Sequence, residues 1–155
     1  MPPAETDVAD LHIDDFYHDV AGILLALYGS FPRPSTLFVA DLIGGHEPDA
    51  FGVPAPRHQA CFSAMLWLAE EGFLRYTDVI RQEAIDQCCL TERAFVLLSS
   101  PLESRVDSGL PATVARQRAT LAQQLRDARA SGSSIQLVET AHLCFIRRPV
   151  QGAQG

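Results

Sequence analysis

Three residues near the start of the chain have the types and spacing that could bind a metal ion. His12, Asp15 and His18 follow one another at intervals of three, which would place their side chains along one side of a helix. Asp14 and Asp19 flank them, and the acidic, solvated start of a helix explains the same residues. We therefore predict neither a metal site nor a cofactor.

The common catalytic motifs do not occur in this sequence. It contains no GxSxG, Walker A or HExxH motif, and no GxGxxG after a strand. Cys61 has a single nearby base, His58, and packing explains this cysteine better than catalysis. His46 and the acidic residues after it form a second polar cluster, which lacks the paired spacing of a metal motif. We predict that the protein is not an enzyme.

The distribution of charge disfavours a nucleic acid as the partner without excluding one. The formal net charge of the 155 residues is −7, and all twelve basic residues are arginine. Residues 1–50 carry nine acids and one base (−8), residues 51–100 six and four (−2), and residues 101–155 four and seven (+3). A polyanion would be repelled by the first third of the chain.

The composition is that of a folded protein with a core of its own. Hydrophobic residues make up 47% of the chain, which fits one domain, or one domain with an oligomerisation arm. The four cysteines form no CxxC pair, and we interpret them as reduced, mostly buried thiols. The acidic N-terminus is unlike a signal peptide, and the apolar runs are too short to span a bilayer. These features predict a cytoplasmic protein with no membrane contact.

Apolar periodicity and helix-end signals predict a mainly helical chain with one small β-hairpin. Gly29 and Pro32 end a first helix, Ser35 is a candidate N-cap of a second, and Thr91 is a candidate N-cap of a fourth. A polar turn at residues 81–83 separates two strand-like segments. The predicted elements are helices over 14–28, 36–43, 57–72 and 91–99, with the hairpin over 73–90.

A helical extension is predicted after this region. Residues 112–130 are rich in helix formers, and residues 135–146 form a last apolar segment that favours a helix. Leu121 and Leu125 belong to a narrow, heptad-like apolar seam, which makes them candidate interface residues. We predict that residues 101–148 form a dimerisation or packing arm, with flexible tails at residues 1–10 and 149–155.

The segment from Arg57 to Ser99 resembles the winged helix-turn-helix superfamily. The resemblance rests on the order of elements over about residues 14–99 and on the segments EEGFLRY and LTERAF. It implies a winged-helix domain over residues 11–100 with the order α-α-α-β-β-α. In a DNA-binding member, the helix after Pro56 would enter the major groove.

Two functional hypotheses follow from the residues on that helix. Gln59, Ser63, Trp67 and Glu70 form its least apolar face, with a tryptophan and an acid where a groove would favour Arg and Asn. A helix that is apolar nearly all round is usually covered on more than one side. The first hypothesis is therefore a non-enzymatic module for protein–protein interaction, assembly or regulation. This face would bind a protein partner or a second copy in a homodimer.

The alternative hypothesis is a dimeric DNA-binding transcriptional regulator, a common function of bacterial winged helices. Arg57, His58, Gln59 and Ser63 would then enter the groove, and Arg81 would contact the phosphate backbone.

Overall fold

A computed structural model describes residues 10–102 and 109–146, and helices dominate these two ranges. The helices are α1 (Leu11–Ser30), α2 (Val39–Ile43), α3 (Pro56–Glu70), α4 (Glu92–Ser99), α5 (Ala112–Ala119), α6 (Leu121–Ser131) and α7 (Ser134–Ile146). The strands are β1 (Ser35–Phe38), β2 (Leu74–Arg75), β3 (Asp78–Ile80) and β4 (Ala84–Leu90). The predicted class, mainly helical with a small β element, is confirmed. The predicted tails lie outside the described residues except for Asp10.

Residues 35–38 form strand β1, so the helix predicted over 36–43 is wrong in its first half. Leu37 is buried while its neighbours Thr36 and Phe38 are exposed, which is the alternation of a strand. Strand β1 pairs antiparallel with β4. Within the segment predicted as a helix, only the five residues of α2 are helical. Ser35 therefore does not cap a helix, and its hydroxyl lies 3.4 Å from that of Ser30.

Strand β4 lies in the middle of the sheet, with β1 on one side and β2 and β3 on the other. Strands β2 and β3 pair antiparallel with successive parts of β4. Together β2 and β3 form the first arm of the predicted hairpin, and β4 forms the second. Arg81 and Gln82 in its turn both have positive φ angles, 47° and 60°, as in a type I′ turn. Thr91 caps α4 by accepting a hydrogen bond from the backbone N–H of Ala94, as predicted.

The helix predicted over 112–130 is interrupted at Thr120 and forms two helices, α5 and α6. Thr120 makes an antiparallel bridge with Pro101, and its side chain caps α6 by accepting a hydrogen bond from the N–H of Gln123. The break is stabilised by contact with a segment about twenty residues away in sequence, which the helix-forming composition of residues 112–130 does not reveal.

One hydrophobic core extends from α1, α3 and the sheet to the C-terminal helices. Leu121 and Leu125 of α6 are fully buried in it, and α7 contributes Leu137, Ala141 and Cys144. The interface role predicted for Leu121 and Leu125 is therefore wrong, because this chain itself covers both side chains. The apolar seam of α6 faces the interior, and α6 and α7 pack against the rest of the chain.

All four cysteines are free and buried, which confirms the prediction of buried thiols. Loss of solvation raises the pKa of Cys61, Cys88 and Cys144 to about 12, because burial disfavours the thiolate. None of the helices in the described ranges combines the length and apolar character that crossing a membrane requires.

Candidate functional site

The outer face of α3, formed by Gln59, Ser63, Trp67 and Glu70, is exposed to solvent. The opposite face packs into the core through Cys61, Ala64, Met65 and Leu68. This division follows the helical period, since residues three or four apart share a side of the helix. The sequence predicts that another element or subunit covers the outer face. The described part of this chain covers Trp67 in part and leaves the other three side chains exposed.

Trp67 is held in place by aromatic rings from two other helices. Its ring lies 5.3 Å from that of Phe16 in α1 and 5.6 Å from that of Phe145 in α7, with interplanar angles of 83° and 85°. Such edge-on contacts restrict the orientation of an indole. Trp67 nevertheless remains 38% exposed. Sequence reasoning identified Trp67 but missed both partners, because they come from helices far away in the sequence.

Arg57, the first basic residue of α3, forms an ion pair inside the protein. Its Nη1 donates to Asp19 Oδ2 at 2.7 Å, and its Nη2 donates to Asp19 Oδ1. Asp19 is only 3% exposed, and a second carboxylate, that of Asp15, lies 3.9 Å from Arg57 Nε. The hydrogen bond to Asp19 raises the pKa of Arg57. The positive charge of Arg57, which was predicted to contact DNA, is therefore largely balanced by these two carboxylates of α1.

Two of the other predicted DNA contacts are also hydrogen-bonded within the chain. His58 Nε2 donates to the backbone carbonyl of Gln82 at 2.9 Å, which joins α3 to the hairpin turn. Gln59 Nε2 donates to the carbonyl of Pro54 at 2.7 Å. Ser63 and Arg81 remain exposed. Among the described residues, Arg81 has no carboxylate within ion-pair distance.

A polar cleft of about 620 Å³ lies beside the Arg57–Asp19 pair. It is lined by Asp15, His18, Asp19, Leu42, Ile43, His46, Arg57, Arg129 and Ser134. The structure thus brings together two residues of the N-terminal cluster and His46 from the second cluster. His12 does not line this cleft. The described ranges contain no group of three or more His, Cys, Asp or Glu side chains that could hold a metal ion.

The polar cleft also contains a serine and a histidine in contact. His18 Nε2 lies 3.2 Å from Ser134 Oγ, the arrangement of a nucleophile beside a base. A catalytic triad needs a third group that hydrogen-bonds the other imidazole nitrogen and orients the ring. Within residues 10–102 and 109–146, no carboxylate makes that hydrogen bond to His18.

A smaller cleft of about 180 Å³ borders the outer face of α3, and we call it the α3 cleft. It is lined by Pro54, His58, Gln59, Phe62, Ser63 and Gln82. The wall is apolar at Pro54 and Phe62, and imidazole, amide and hydroxyl groups form the rest. This combination of apolar surface and a few polar groups suits the binding of a side chain.

The chemistry of α3 suits contact with another macromolecule. Its outer face presents an amide, a hydroxyl, an indole and a carboxylate, next to a cleft large enough for one side chain. Comparisons of the chain with protein-family models, with curated proteins and with solved structures found no match.

Proposed function

We propose that this protein is a non-enzymatic winged-helix module that binds a protein partner through the outer face of α3. The observation that carries the proposal is Trp67, which is held by Phe16 and Phe145 and is 38% exposed. Tryptophan is among the residues that contribute most to the energy of protein interfaces. A ring already fixed in orientation loses little conformational freedom when a partner binds.

The order of elements supports the winged-helix part of the proposal. Helices α1, α2 and α3 precede the antiparallel hairpin, and α4 follows it. The bond from His58 to the carbonyl of Gln82 fixes the hairpin turn beside the start of α3. Strand β1 is an addition to the predicted order, and it extends the sheet on the other side of β4.

Electrostatics support a protein partner over a nucleic acid. Asp19 neutralises Arg57 at the start of α3. Glu70 places a negative charge at the other end of this helix, on its outer face. The chain as a whole carries a net charge of −7. A nucleic acid would have to approach this face against that field.

The alternative function, a dimeric DNA-binding regulator, is favoured by one observation. Arg81 lies exposed in the hairpin turn, with no ion-pair partner in the described residues, and Ser63 is exposed on α3. A phosphate contact from the turn and a base contact from α3 would require these two residues.

Photo-crosslinking tests the proposed face. A photo-reactive amino acid in place of Ser63 should give discrete protein crosslinks in cells of the source organism. The same group in place of Gln117, which is exposed on α5, should not. Glu70→Arg should weaken the Ser63 crosslinks through charge reversal. Glu139→Arg, the matched change on α7, should leave them intact.

Selection of genomic DNA by the purified protein tests the alternative. The proposal predicts no sequence-specific enrichment near physiological salt, where non-specific attraction is screened. Specific enrichment that Arg81→Glu abolishes, together with no crosslinks from Ser63, would overturn the proposal in favour of DNA binding.

A further inference from the structure

Phe51 is displayed at the tip of an ordered turn. Asp49 Oδ1 accepts hydrogen bonds from the backbone N–H groups of Phe51 and Val53, at 2.8 and 2.9 Å. The backbone N–H of Asp49 in turn donates to the carbonyl of Val53 at 2.9 Å. These bonds fix the turn, yet the phenylalanine at its tip is 91% exposed. Because the turn is already fixed, burying this side chain against a partner would cost little conformational freedom.

The α3 cleft has the size to hold such a side chain. A cavity of about 150 Å³ lined by apolar side chains can hold a benzene ring. The α3 cleft, at about 180 Å³, has room for the phenyl ring of a phenylalanine. Phe62 and Pro54 would contact the ring, and Gln59, Ser63 and Gln82 would surround it with polar groups.

Phe51 and the α3 cleft lie close together along the chain, because Pro54 in the cleft wall is three residues from Phe51. The phenyl ring does not fill the cleft of its own chain, since it is almost fully exposed. A two-fold axis relates two copies so that each surface patch meets its equivalent. If Phe51 of one copy entered the cleft of the second, the reverse contact could form at the same time.

Charge complementarity supports a second copy as the occupant. Two acids, Glu47 and Asp49, lie just before Phe51 in the chain. Arg81 is adjacent in sequence to Gln82 of the cleft, is exposed, and makes no ion pair in the described parts of the chain. Insertion of Phe51 would bring the acidic turn of one copy towards Arg81 of the other.

We infer that the protein forms a two-fold symmetric dimer in which Phe51 of each copy occupies the α3 cleft of the other. This inference rests on the proposed function, because it takes the protein partner at α3 to be a second copy of the chain.

Sedimentation equilibrium of the purified full-length protein over a concentration series tests the dimer. The wild type should dimerise, and Phe51→Ser should weaken the dimer roughly a hundredfold or more, because two anchors are lost at once. Ile135→Ser provides a matched control, since Ile135 is a largely exposed apolar residue on α7. It should leave the dissociation constant unchanged.

Mixing two variants provides a test specific to insertion. Phe51→Ser removes the ring but keeps the cleft, whereas Ser63→Trp blocks the cleft but keeps the ring. Each variant alone should be monomeric. A mixture should form a heterodimer, because one ring and one open cleft remain in it. Circular dichroism melting of both variants verifies that they fold.

Several outcomes would overturn the inference. They are a monomeric wild type, a Phe51→Ser variant that dimerises as the wild type does, and a mixture of folded variants that stays monomeric. Crosslinks from Ser63 to a different protein, with no dimer, would overturn this inference and leave the proposed function standing. Specific DNA enrichment without Ser63 crosslinks would overturn the proposed function instead.

Discussion

Replacing Arg57 by alanine tests whether this residue is a structural partner of Asp19 or a free cation. The Asp19 carboxylate is 3% exposed and accepts hydrogen bonds from both terminal nitrogens of Arg57. Alanine at position 57 would remove both donors and leave a buried, unpaired carboxylate. We therefore expect Arg57→Ala to destabilise the fold.

The size of the effect follows from the burial of the two partners. Removing one member of a buried ion pair costs about 3–5 kcal/mol. The Arg57 side chain is 29% exposed, so water can partly solvate the vacated carboxylate, and we expect the lower end, about 3 kcal/mol. In a protein of this length, each kcal/mol shifts the melting temperature by roughly 2–4 °C. Melting of Arg57→Ala should therefore fall by roughly 6–12 °C.

Thermal melting and urea unfolding followed by circular dichroism measure this change. Arg75→Ala is the matched control, because Arg75 is exposed and makes no ion pair in the described residues. Its stability should change by about 0.5 kcal/mol or less. The double variant Asp19→Leu with Arg57→Leu should recover much of the loss, since apolar replacement of a buried pair is often neutral. Equal midpoints for Arg57→Ala and Arg75→Ala would refute the structural role of Arg57.

Three further predictions concern the sheet and the thiols. The hydroxyl of Thr36 and a backbone N–H lower the pKa of Asp86, so Thr36→Val should raise it towards its ordinary value in an NMR pH titration. Because folding lowers this pKa, the contribution of Asp86 to stability is present above the unfolded-state pKa and is lost as pH falls through the folded-state value. An unshifted Asp86 titration in Thr36→Val would contradict the role of the Thr36 hydroxyl. Gln82→Gly should stabilise the protein by about 0.5–1 kcal/mol in urea unfolding, since Gln82 has a φ of 60° that glycine adopts with little strain; an unchanged or lower midpoint would contradict this. Three of the buried thiols have their pKa raised to about 12, so the folded protein should resist thiol reagents at mildly alkaline pH and the unfolded protein should react rapidly.

The elements predicted correctly from the sequence are those stabilised by local signals. Helix α1 follows from a single apolar stripe, and the structure extends it by three residues at its start and two at its end. Thr91 begins α4 as an N-cap, and the polar turn at residues 81–83 closes the hairpin. In each case the interactions involved lie within a few residues of one another, so the spacing of residue types is sufficient to predict them.

The wrong predictions involve pairing between distant segments. Strand β1 forms because Ser35 pairs with Cys88, more than fifty residues away, and no pattern within residues 35–43 shows this. The bridge from Thr120 to Pro101 divides a segment whose composition favours one helix. Tertiary contact overrides local propensity at both places.

The candidate site was predicted in part for the same reason. Helical periodicity identified the outer face of α3 and the apolar seam of α6. Periodicity cannot show whether an apolar seam meets the same chain or another chain. Leu121 and Leu125 meet their own chain, whereas Trp67 is only partly covered by it.

Asp19 shows why the residue type of Arg57, at the start of α3, did not predict what this arginine contacts. The sequence placed Asp19 with Asp14 and Asp15 in the solvated start of a helix. In the structure it is the ninth residue of α1 and is buried, so it requires a cationic partner. Arg57 supplies that charge, which explains an arginine at the start of α3 without DNA. A DNA-binding assay that uses Arg57→Ala would therefore confuse lost contact with lost stability. Arg81→Glu, at an exposed side chain, separates the two effects.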